Sequence, residues 1–343
     1  MKRRIPVIML MCVLLMSACI RETYENTPLG NFDRLWTLMD EHYCYFDYKA
    51  KEYGLDWNKV YQKYRPLVTD TIGDEALFNL CADMLSELRD GHVNIYSVYD
   101  VGRNWSWMEK YPPNYYKHIQ DNYLGTDYKI GGGFRYTILN DSIGYIYYGD
   151  FSSSASDAYI NRIIEYFMNC KGIIFDVRNN GGGLVPNVET IISHFTDKEV
   201  LCGYLRHKTG PGHSDFSDYE EMRVSPAKGY IWLRPVAVLT NRSCFSATNT
   251  FVSEISTLEQ VRVFGDRTGG GGGIPLSFEL PNGWSVRYSS SPMYDLNYKD
   301  IEFGVEPDVR VGIYDVDMQH GIDSIIETAI DWLSNYDKNN KQE

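Results

Sequence analysis

Strand-like and helix-like segments alternate along the second half of the chain, and this alternation constrains the fold more than any other feature. A predicted hairpin comes first, formed by Phe134–Leu139 and Ile143–Tyr148. The segments that follow are predicted as helix 156–168, strand 172–177, helix 185–195, strand 236–240, helix 247–255 and strand 261–264. Alternating segments of this kind fold as parallel strands joined by helical crossovers. The sequence therefore predicts an α/β fold with a mixed, largely parallel sheet and flanking helices.

The region before this core has a different pattern. Apolar residues at helical spacing predict three helices, which form an N-terminal helical cap domain over residues 30–98. The cap ends in the sequence RDGH, where Gly91 breaks the last helix before a short predicted strand. Residues 99–133 are rich in Tyr, Pro, Asn and Gly and have little periodicity, which predicts a linker or covering loop. The core domain then extends over residues 134–336.

The first residues have the pattern of an export signal. Three basic residues precede an apolar run at 5–16, which is too short to span a membrane, and two small residues follow before Cys19. We interpret residues 1–18 as a lipoprotein signal peptide, Cys19 as the lipidation site and residues 19–29 as a tether. The alternative is an ordinary cleaved signal followed by a chance cysteine. Both interpretations predict export, and the first predicts a protein of the bacterial cell envelope that meets the membrane through its lipid anchor alone.

Charge and cysteine content exclude several classes of function. The formal net charge is -13, and it becomes more negative once the three basic residues of the signal are removed. Such a balance argues against nucleic acids and anionic membrane surfaces as partners. The cysteines beyond Cys19 are odd in number and widely separated, which fits neither a disulfide framework nor a zinc site. The sequence therefore predicts no bound metal.

One candidate site lies where an apolar strand runs into a glycine cluster, in the sequence FDVRNNGGG from Phe175 to Gly183. Because the glycines have no side chains, a substrate oxygen can approach their backbone amides closely, as both phosphate loops and oxyanion holes require. A nucleotide-binding loop is not indicated, because the segment has neither a Gly-Lys-Ser/Thr ending nor the spacing G-x-G-x-x-G. A tight structural turn without a site is the alternative. Asp176 and Arg178 are predicted to form an ion pair that stabilises this turn.

A second candidate is VLTNRSCFSATNTF, from Val238 to Phe251, where a strand again leads through a loop into a helix. Ser246 falls at the start of that helix. A hydroxyl group there lies at the positive end of the helix dipole, and the amide of Ala247 is free to bind a negatively charged oxygen. On this segment alone, a helix cap at Ser246 or Ser243 is the favoured interpretation, since most serines before helices are caps.

Taken together, these segments resemble one family. DVRNNGG is followed by NRSCFSAT, and the sequences DWNKVYQKYRP, LRDGH, GDRTGG and GVEPDV occur around them in a fixed order over most of the chain. This arrangement is similar to that of the C-terminal processing and tricorn-like serine peptidases, also called tail-specific proteases. The resemblance implies a core of the crotonase and Clp-protease type.

Residue by residue, the resemblance implies that Ser246 is the nucleophile. It also implies that the oxyanion donors are the amide of Ala247 and one from the glycine triplet, for which Gly182 is the best match, with Gly183 beside it. Processing proteases pair the serine with a lysine beyond the next strand, but the corresponding residues here read DRTGGGGG. The lysine is absent.

The tricorn-like branch uses a histidine of the N-terminal block as the base, and His92 matches it. A glutamate near the C-terminus orients that histidine, and Glu302 matches it, with Glu306 and Asp308 as rivals in the same loop. The serine that joins the two groups in tricorn corresponds to Gly91 here. The link between Glu302 and His92 is therefore expected to be another hydroxyl group, a water molecule or a direct contact.

These residues predict an exported serine peptidase that cleaves peptides or protein C-terminal regions through an acyl-enzyme on Ser246. No cofactor is needed, and the expected partners are peptides or unfolded proteins. Processing proteases usually carry a PDZ domain, for which residues 100–133 are too few. The missing lysine motivates the main alternative, a catalytically inactive peptide- or lipid-binding protein on the same fold. An esterase is a third possibility.

Overall fold

The structure is a computed structural model that describes residues 24–103, 111–140 and 142–336. The predicted signal peptide, Cys19 and the first part of the tether lie outside these ranges. Within them, no helix is both long enough and apolar enough to cross a bilayer.

The elements of the first part of the chain include the predicted cap helices. They are α1 (Pro28–His42), α2 (Phe46–Tyr53), α3 (Trp57–Tyr64), α4 (Asp74–Ser86), β1 (Asn94–Tyr96), β2 (Val101–Arg103), α5 (Lys117–Leu124) and β3 (Lys129–Gly131). Two of the helices begin where side chains cap them. Thr27 Oγ1 accepts a hydrogen bond from the Gly30 amide at the start of α1, and Asp56 Oδ1 accepts one from the Lys59 amide at the start of α3.

The elements of the core follow the predicted alternation. They are β4 (Phe134–Leu139), β5 (Ile143–Tyr148), α6 (Asp157–Tyr166), β6 (Gly172–Asp176), α7 (Pro186–Ser193), β7 (Val200–Leu205), β8 (Glu220–Val224), β9 (Val236–Thr240), α8 (Ala247–Ile255), β10 (Val261–Gly265), β11 (Gly273–Glu279), β12 (Ser285–Tyr294), β13 (Val309–Arg310), α9 (Asp315–Gln319) and α10 (Ser324–Ser334).

The predicted α/β class is confirmed by a seven-stranded sheet in the order β13-β10-β9-β6-β5-β4-β3. Pairing is parallel from β13 through β5 and antiparallel from β5 to β3. Alternate residues of β6 face opposite apolar clusters: Phe175 packs with α6, α7 and α8, and Ile174 packs with α5 and α10. Helices thus cover both faces, which explains why β6 and β9 are apolar at nearly every position.

A second, antiparallel sheet has the order β2-β1-β12-β7-β8, with β11 paired to β12. Of this sheet, the sequence predicts β1, as the short strand after RDGH, and the β11–β12 hairpin, which turns on Asn282 and Gly283. β7 contains Gly203 next to a register shift, and β8 reads EEMRV, so neither has the apolar alternation that identifies a strand. Side chains from β11, β12 and the turn between them, including Trp284 and Val286, complete the apolar cluster of the cap helices. The cap and this hairpin therefore share one core.

The segment 99–133, predicted as a linker or covering loop, contains regular structure in its described part. β2 extends the second sheet, β3 extends the first, and α5 packs on the first sheet through Leu124. Within α5, Ile119 is fully buried and Gln120 Nε2 donates to the Tyr145 hydroxyl group. With so few apolar residues, α5 has no recognisable periodicity, which is why the sequence interpretation missed it.

The predicted ion pair of Asp176 and Arg178 is confirmed, and it belongs to a larger buried cluster. The Arg178 guanidinium donates from Nε to Asp176 Oδ1 at 2.9 Å and from Nη2 to Asp176 Oδ2 at 2.7 Å. Its Nη1 donates to Asp323 Oδ2 at 2.8 Å. The other oxygen of Asp323 caps α10 by accepting from the Ile325 and Ile326 amides. The cluster thus connects the end of β6 to the C-terminal helix.

Replacing Arg178 with methionine is expected to lower the free energy of unfolding by about 3–5 kcal/mol, because two buried carboxylates lose their counter-charge. Urea-induced unfolding measures the change. The matched control is Arg162→Met, since Arg162 is exposed and pairs only with Glu165, so that its loss should cost less than about 1 kcal/mol. Equal effects of the two substitutions would contradict the importance of the buried cluster.

Candidate active site

The two candidate loops lie side by side because they follow neighbouring parallel strands. The glycine cluster follows β6, the Ser246 loop follows β9, and these strands pair directly. The Phe245 amide donates to the Asn180 carbonyl group at 3.1 Å. The Asn180 side chain accepts from the Thr248 hydroxyl group at 2.7 Å and donates to the Tyr148 carbonyl group at 2.8 Å. Asn180 therefore holds the glycine loop against the first turn of α8.

Ser246 has an unusual backbone conformation at the start of α8. Its φ is +57°, a region that residues other than glycine rarely adopt. Its amide donates to the Gly270 carbonyl group at 2.9 Å, and its hydroxyl group does not cap the helix. Instead, Ser246 Oγ lies 2.9 Å from Nε2 of His92. The strained turn thus directs the hydroxyl group away from the helix and toward an imidazole.

The His92 side chain is almost fully buried. Its ring lies edge-on to Phe245, with 4.8 Å between the ring centroids. Burial lowers the pKa of His92 to about 4; Asp90 opposes this shift, Arg287 adds to it, and the Gly273 backbone also opposes it. Among the described residues, none forms a hydrogen bond of full geometry with Nδ1 of the ring. The imidazole is therefore neutral near pH 7 and able to accept a proton from Ser246.

Asp90 is a site residue that the sequence interpretation missed. Its Oδ1 accepts from the His92 amide at 2.7 Å, and its Oδ2 accepts from the Tyr43 and Ser289 hydroxyl groups. The carboxylate is buried, and its charge favours the protonated form of His92. The acidic residue in RDGH was visible in the sequence, but its hydrogen bonds with Tyr43 and Ser289 join parts of the chain that are distant in sequence.

The oxyanion side of the site corrects one detail of the prediction. The Gly182 amide already donates to Asn180 Oδ1 at 2.9 Å, so it is not free to bind a substrate oxygen. Among the described residues, neither the Gly183 amide nor the Ala247 amide donates a hydrogen bond. Gly182 has a different function: a Cβ on it would lie 3.0 Å from the Ala247 nitrogen and 2.8 Å from Ser246 Cβ. Gly182 keeps this space open, and Gly183 is the better candidate donor.

Glu302 does not contact His92 directly. Its Oε1 accepts from Lys49 Nζ at 2.7 Å, and its Oε2 accepts from the Gly272 amide at 3.2 Å. Burial raises the pKa of the Glu302 carboxyl group, Asp90 adds to this shift, and the Lys49 ammonium opposes it. The sequence interpretation missed Lys49 altogether. The rival acids have other partners: Glu306 accepts a hydrogen bond from the Arg310 guanidinium, and Asp308 accepts one from the Val263 amide.

At Gly91, the position matched to the linking serine of tricorn, the space for a side chain is occupied by the ring of Phe245. A Cβ on Gly91 would lie 2.7 Å from the Phe245 ring, and one on Gly271 would lie 2.5 Å from it. Both glycines thus make room for Phe245, which packs against His92. Cys244, next to Phe245, is buried, and burial raises the pKa of its thiol to about 12, so it is not a competing nucleophile.

The cleft around Ser246 and His92 has a volume of about 460 Å³. Its walls come from three strands of the second sheet, from the glycine loop and from the Ser246 loop. The lining residues beyond the two already named include Asn94, Arg103, Ser152, Gly181 and Arg287. Within the described ranges, no cluster of three or more His, Cys, Asp or Glu side chains could hold a metal ion.

The chain is similar to proteins of known family and known structure. Residues 142–311 match the model of peptidase family S41, and residues 24–86 match that of the tricorn protease C1 domain. The chain is 49% identical to a candidate peptidase from Parabacteroides merdae of known crystal structure, with a TM-score of 0.86; the alignment covers 90% of this chain and 97% of that one.

Two further matches are more distant. Mature CPAF has a TM-score of 0.69 at 13% identity, over 91% of this chain and 98% of that one, which shows likeness of fold alone. The carboxy-terminal processing protease CtpB of Bacillus subtilis is 24% identical over 51% of this chain and 35% of its own length. The match thus spans about a third of that curated relative.

Proposed function

Because this chain belongs to peptidase family S41, we propose that it is a serine peptidase with Ser246 as its nucleophile. The observation that carries the proposal is the 2.9 Å contact between Ser246 Oγ and His92 Nε2. It lies beside the Gly183 and Ala247 amides, which donate no hydrogen bond to a described residue. A nucleophile, a base and oxyanion donors within one cleft are the groups that acyl transfer requires.

In the proposed reaction, Ser246 Oγ attacks the peptide carbonyl carbon while His92 Nε2 takes the hydroxyl proton. The Ala247 and Gly183 amides stabilise the oxyanion, helped by the positive end of α8. His92 then donates the proton to the leaving amine, which departs and leaves an acyl-enzyme on Ser246. Water, deprotonated by His92, hydrolyses this ester and restores the serine.

Asp90 and Glu302 are proposed to act through other groups. Asp90 stabilises the imidazolium through its charge, since its carboxylate accepts from the His92 amide rather than from the ring. Glu302, paired with Lys49, holds the 270–272 loop, whose Gly270 carbonyl group in turn accepts from the Ser246 amide. Both are therefore positioning residues.

The proposed substrates are peptides or the C-terminal regions of proteins. The curated relatives are C-terminal processing proteases by name, which supports the second choice. The Ser246–His92 contact lends no support to the inactive binding protein that the missing lysine suggested. Export and lipid anchoring on Cys19 rest on the signal sequence. If Cys19→Ser left the protein in the membrane fraction of cells, the anchor would be excluded.

A fluorophosphonate probe tests the proposal directly. We expect one probe molecule to attach to the folded protein, with peptide mapping placing it on Ser246. Absence of labelling in protein that melts cooperatively would refute the serine mechanism. Comparing hydrolysis of a peptide with that of the matching ester then separates a peptidase from an esterase.

The pH dependence follows from the pKa of His92. Since burial lowers this pKa from 6.5 to about 4, kcat/KM is expected to stay level down to about pH 5 and to fall with a midpoint near pH 4. The same shift makes the neutral imidazole more favourable in the folded protein, so its contribution to stability is lost as pH falls from 6.5 toward 4. An acid limb of kcat/KM centred at pH 6.5 would contradict the assignment.

A further inference from the structure

Two arginines and one asparagine form a row across three neighbouring strands of the second sheet. In β1, Asn94 pairs with Arg103 of β2 on one side and with Arg287 of β12 on the other. Directly paired residues in antiparallel strands project from the same face of the sheet. All three residues line the cleft that contains Ser246 and His92. The row therefore forms one wall of the proposed active site.

Neither arginine is neutralised within the described part of the chain. Among the described residues, no carboxylate forms an ion pair with Arg103 or Arg287, and neither guanidinium donates a hydrogen bond. Asn94 Nδ2 donates to the Gly91 carbonyl group at 3.1 Å, which leaves its own Oδ1 without a described partner. Arg103 is exposed and Arg287 is partly buried. The wall thus presents two positive charges to the cleft.

We propose that Arg103 and Arg287 bind a carboxylate of the substrate next to the scissile bond, an inference that rests on the proposed function. Guanidinium groups bind carboxylates through paired, charge-assisted hydrogen bonds. Adjacent strands lie about 4.8 Å apart, so the two arginine backbones are roughly 10 Å apart across Asn94. Arginine side chains are long and flexible enough for both guanidinium groups to reach one carboxylate above Asn94.

Two sources could supply this carboxylate. It is either the C-terminal carboxylate of the peptide, in which case the enzyme removes one or a few terminal residues, or an Asp or Glu side chain beside the scissile bond. Asn94 lies only two residues after His92, which places the row close to the reacting atoms.

The electrostatics of the base agree with this assignment. The positive charge of Arg287 lowers the pKa of His92, which weakens the base in the empty cleft. A bound carboxylate would offset that charge and make His92 a stronger proton acceptor. Substrates that carry the carboxylate would thus both bind more tightly and react faster.

The test separates binding from turnover. The Ser246→Ala protein is titrated with a fluorescent peptide in three forms: with a free C-terminal carboxylate, with a C-terminal amide, and as the amide with one Asp near the cleavage position. We expect one of the two carboxylate forms to bind at least about tenfold more tightly than the plain amide. The form that gains affinity identifies the source. Equal affinities for all three, or binding of none, would overturn the proposal.

The arginines are tested in the same background with Arg103→Gln and Arg287→Gln. Each is expected to reduce the carboxylate preference about tenfold or more, whereas Arg287→Lys should retain part of it. The matched control is Arg162→Gln, on an exposed face of α6, which should keep the full preference. A preference that survives both glutamine substitutions would assign the carboxylate to another site.

These results also distinguish the two proposals. If the protein shows the carboxylate preference but neither labels with the serine probe nor cleaves any peptide, the peptidase proposal fails and the carboxylate site stands. If it cleaves peptides without any carboxylate preference, the carboxylate site fails and the peptidase proposal stands.

Discussion

Replacing Ser246 with alanine is expected to lower kcat for peptide hydrolysis by a factor on the order of 10⁵–10⁶. The alanine retains the backbone of the turn but has no oxygen to attack the substrate, and His92 then has no proton to accept. Loss of a serine nucleophile costs about this much because the base and the nucleophile act as one unit. The residual rate is expected to come from binding and from the oxyanion donors alone.

The matched control is Ser243→Ala, three residues earlier in the same loop. Ser243 is the other serine that the sequence offers as a helix cap. Among the described residues, its hydrogen bonding is limited to its amide, which donates to Asn241 Oδ1. We expect this variant to retain activity within a few-fold of the wild type. Thermal unfolding of both variants checks that they are folded. More than about 1% of wild-type kcat in a pure Ser246→Ala preparation would show that another residue is the nucleophile.

Replacing Gly182 with alanine is expected to lower kcat/KM by a factor of about 10³ or more. The new methyl group would lie 2.6 Å from the Phe245 carbonyl oxygen and 3.0 Å from the Ala247 nitrogen, and both atoms belong to the backbone of the nucleophile loop. The φ of +100° at Gly182 is also unfavourable for alanine. The loop must therefore shift, which disturbs the oxyanion site. Loss of a single oxyanion donor alone lowers kcat by a factor of about 10²–10³.

Gly181→Ala serves as the control for this prediction. A Cβ at Gly181 meets no atom within 4 Å, and its φ is not in the positive region. We expect less than a tenfold change in kcat/KM and an unchanged unfolding midpoint. The comparison fails if the two variants lose activity equally, since the effect would then follow from stiffening the loop rather than from filling the space beside Ala247.

The site combines strain with rigid support. Ser246 is held at an unfavourable φ by its amide bond to Gly270 and by the packing of Phe245, which contacts both His92 and the nearby glycines. Arg178, at the start of the glycine loop, is held in place by its buried contact with Asp323. Such support is what a strained catalytic turn requires, because without it the residue would relax into an ordinary helix cap.

Much of the fold could be predicted because its signals are local. Apart from β7 and β8, the strands and helices from β4 to β10 are marked by apolar runs or apolar periods, and β4, β5, β9 and α8 begin and end where the pattern predicts. The predictions failed where that signal is weak, as in β7, β8 and α5. Ser246, His92 and the glycine loop were identified through motifs in a characteristic order, and their convergence is consistent with that identification.

The sequence by itself determined the α/β class, the nucleophile loop, the candidate base and the absence of the family lysine from its expected position. Only the tertiary structure decided which groups surround them: Tyr43 and Ser289 on Asp90, Lys49 on Glu302, Gly183 rather than Gly182 as the candidate free amide, and the row of Arg103 and Arg287. The physical reason is that local periodicity depends on neighbours along the chain. Register between distant strands, burial of a charge and occupancy of an amide depend on residues that come together only when the chain is folded.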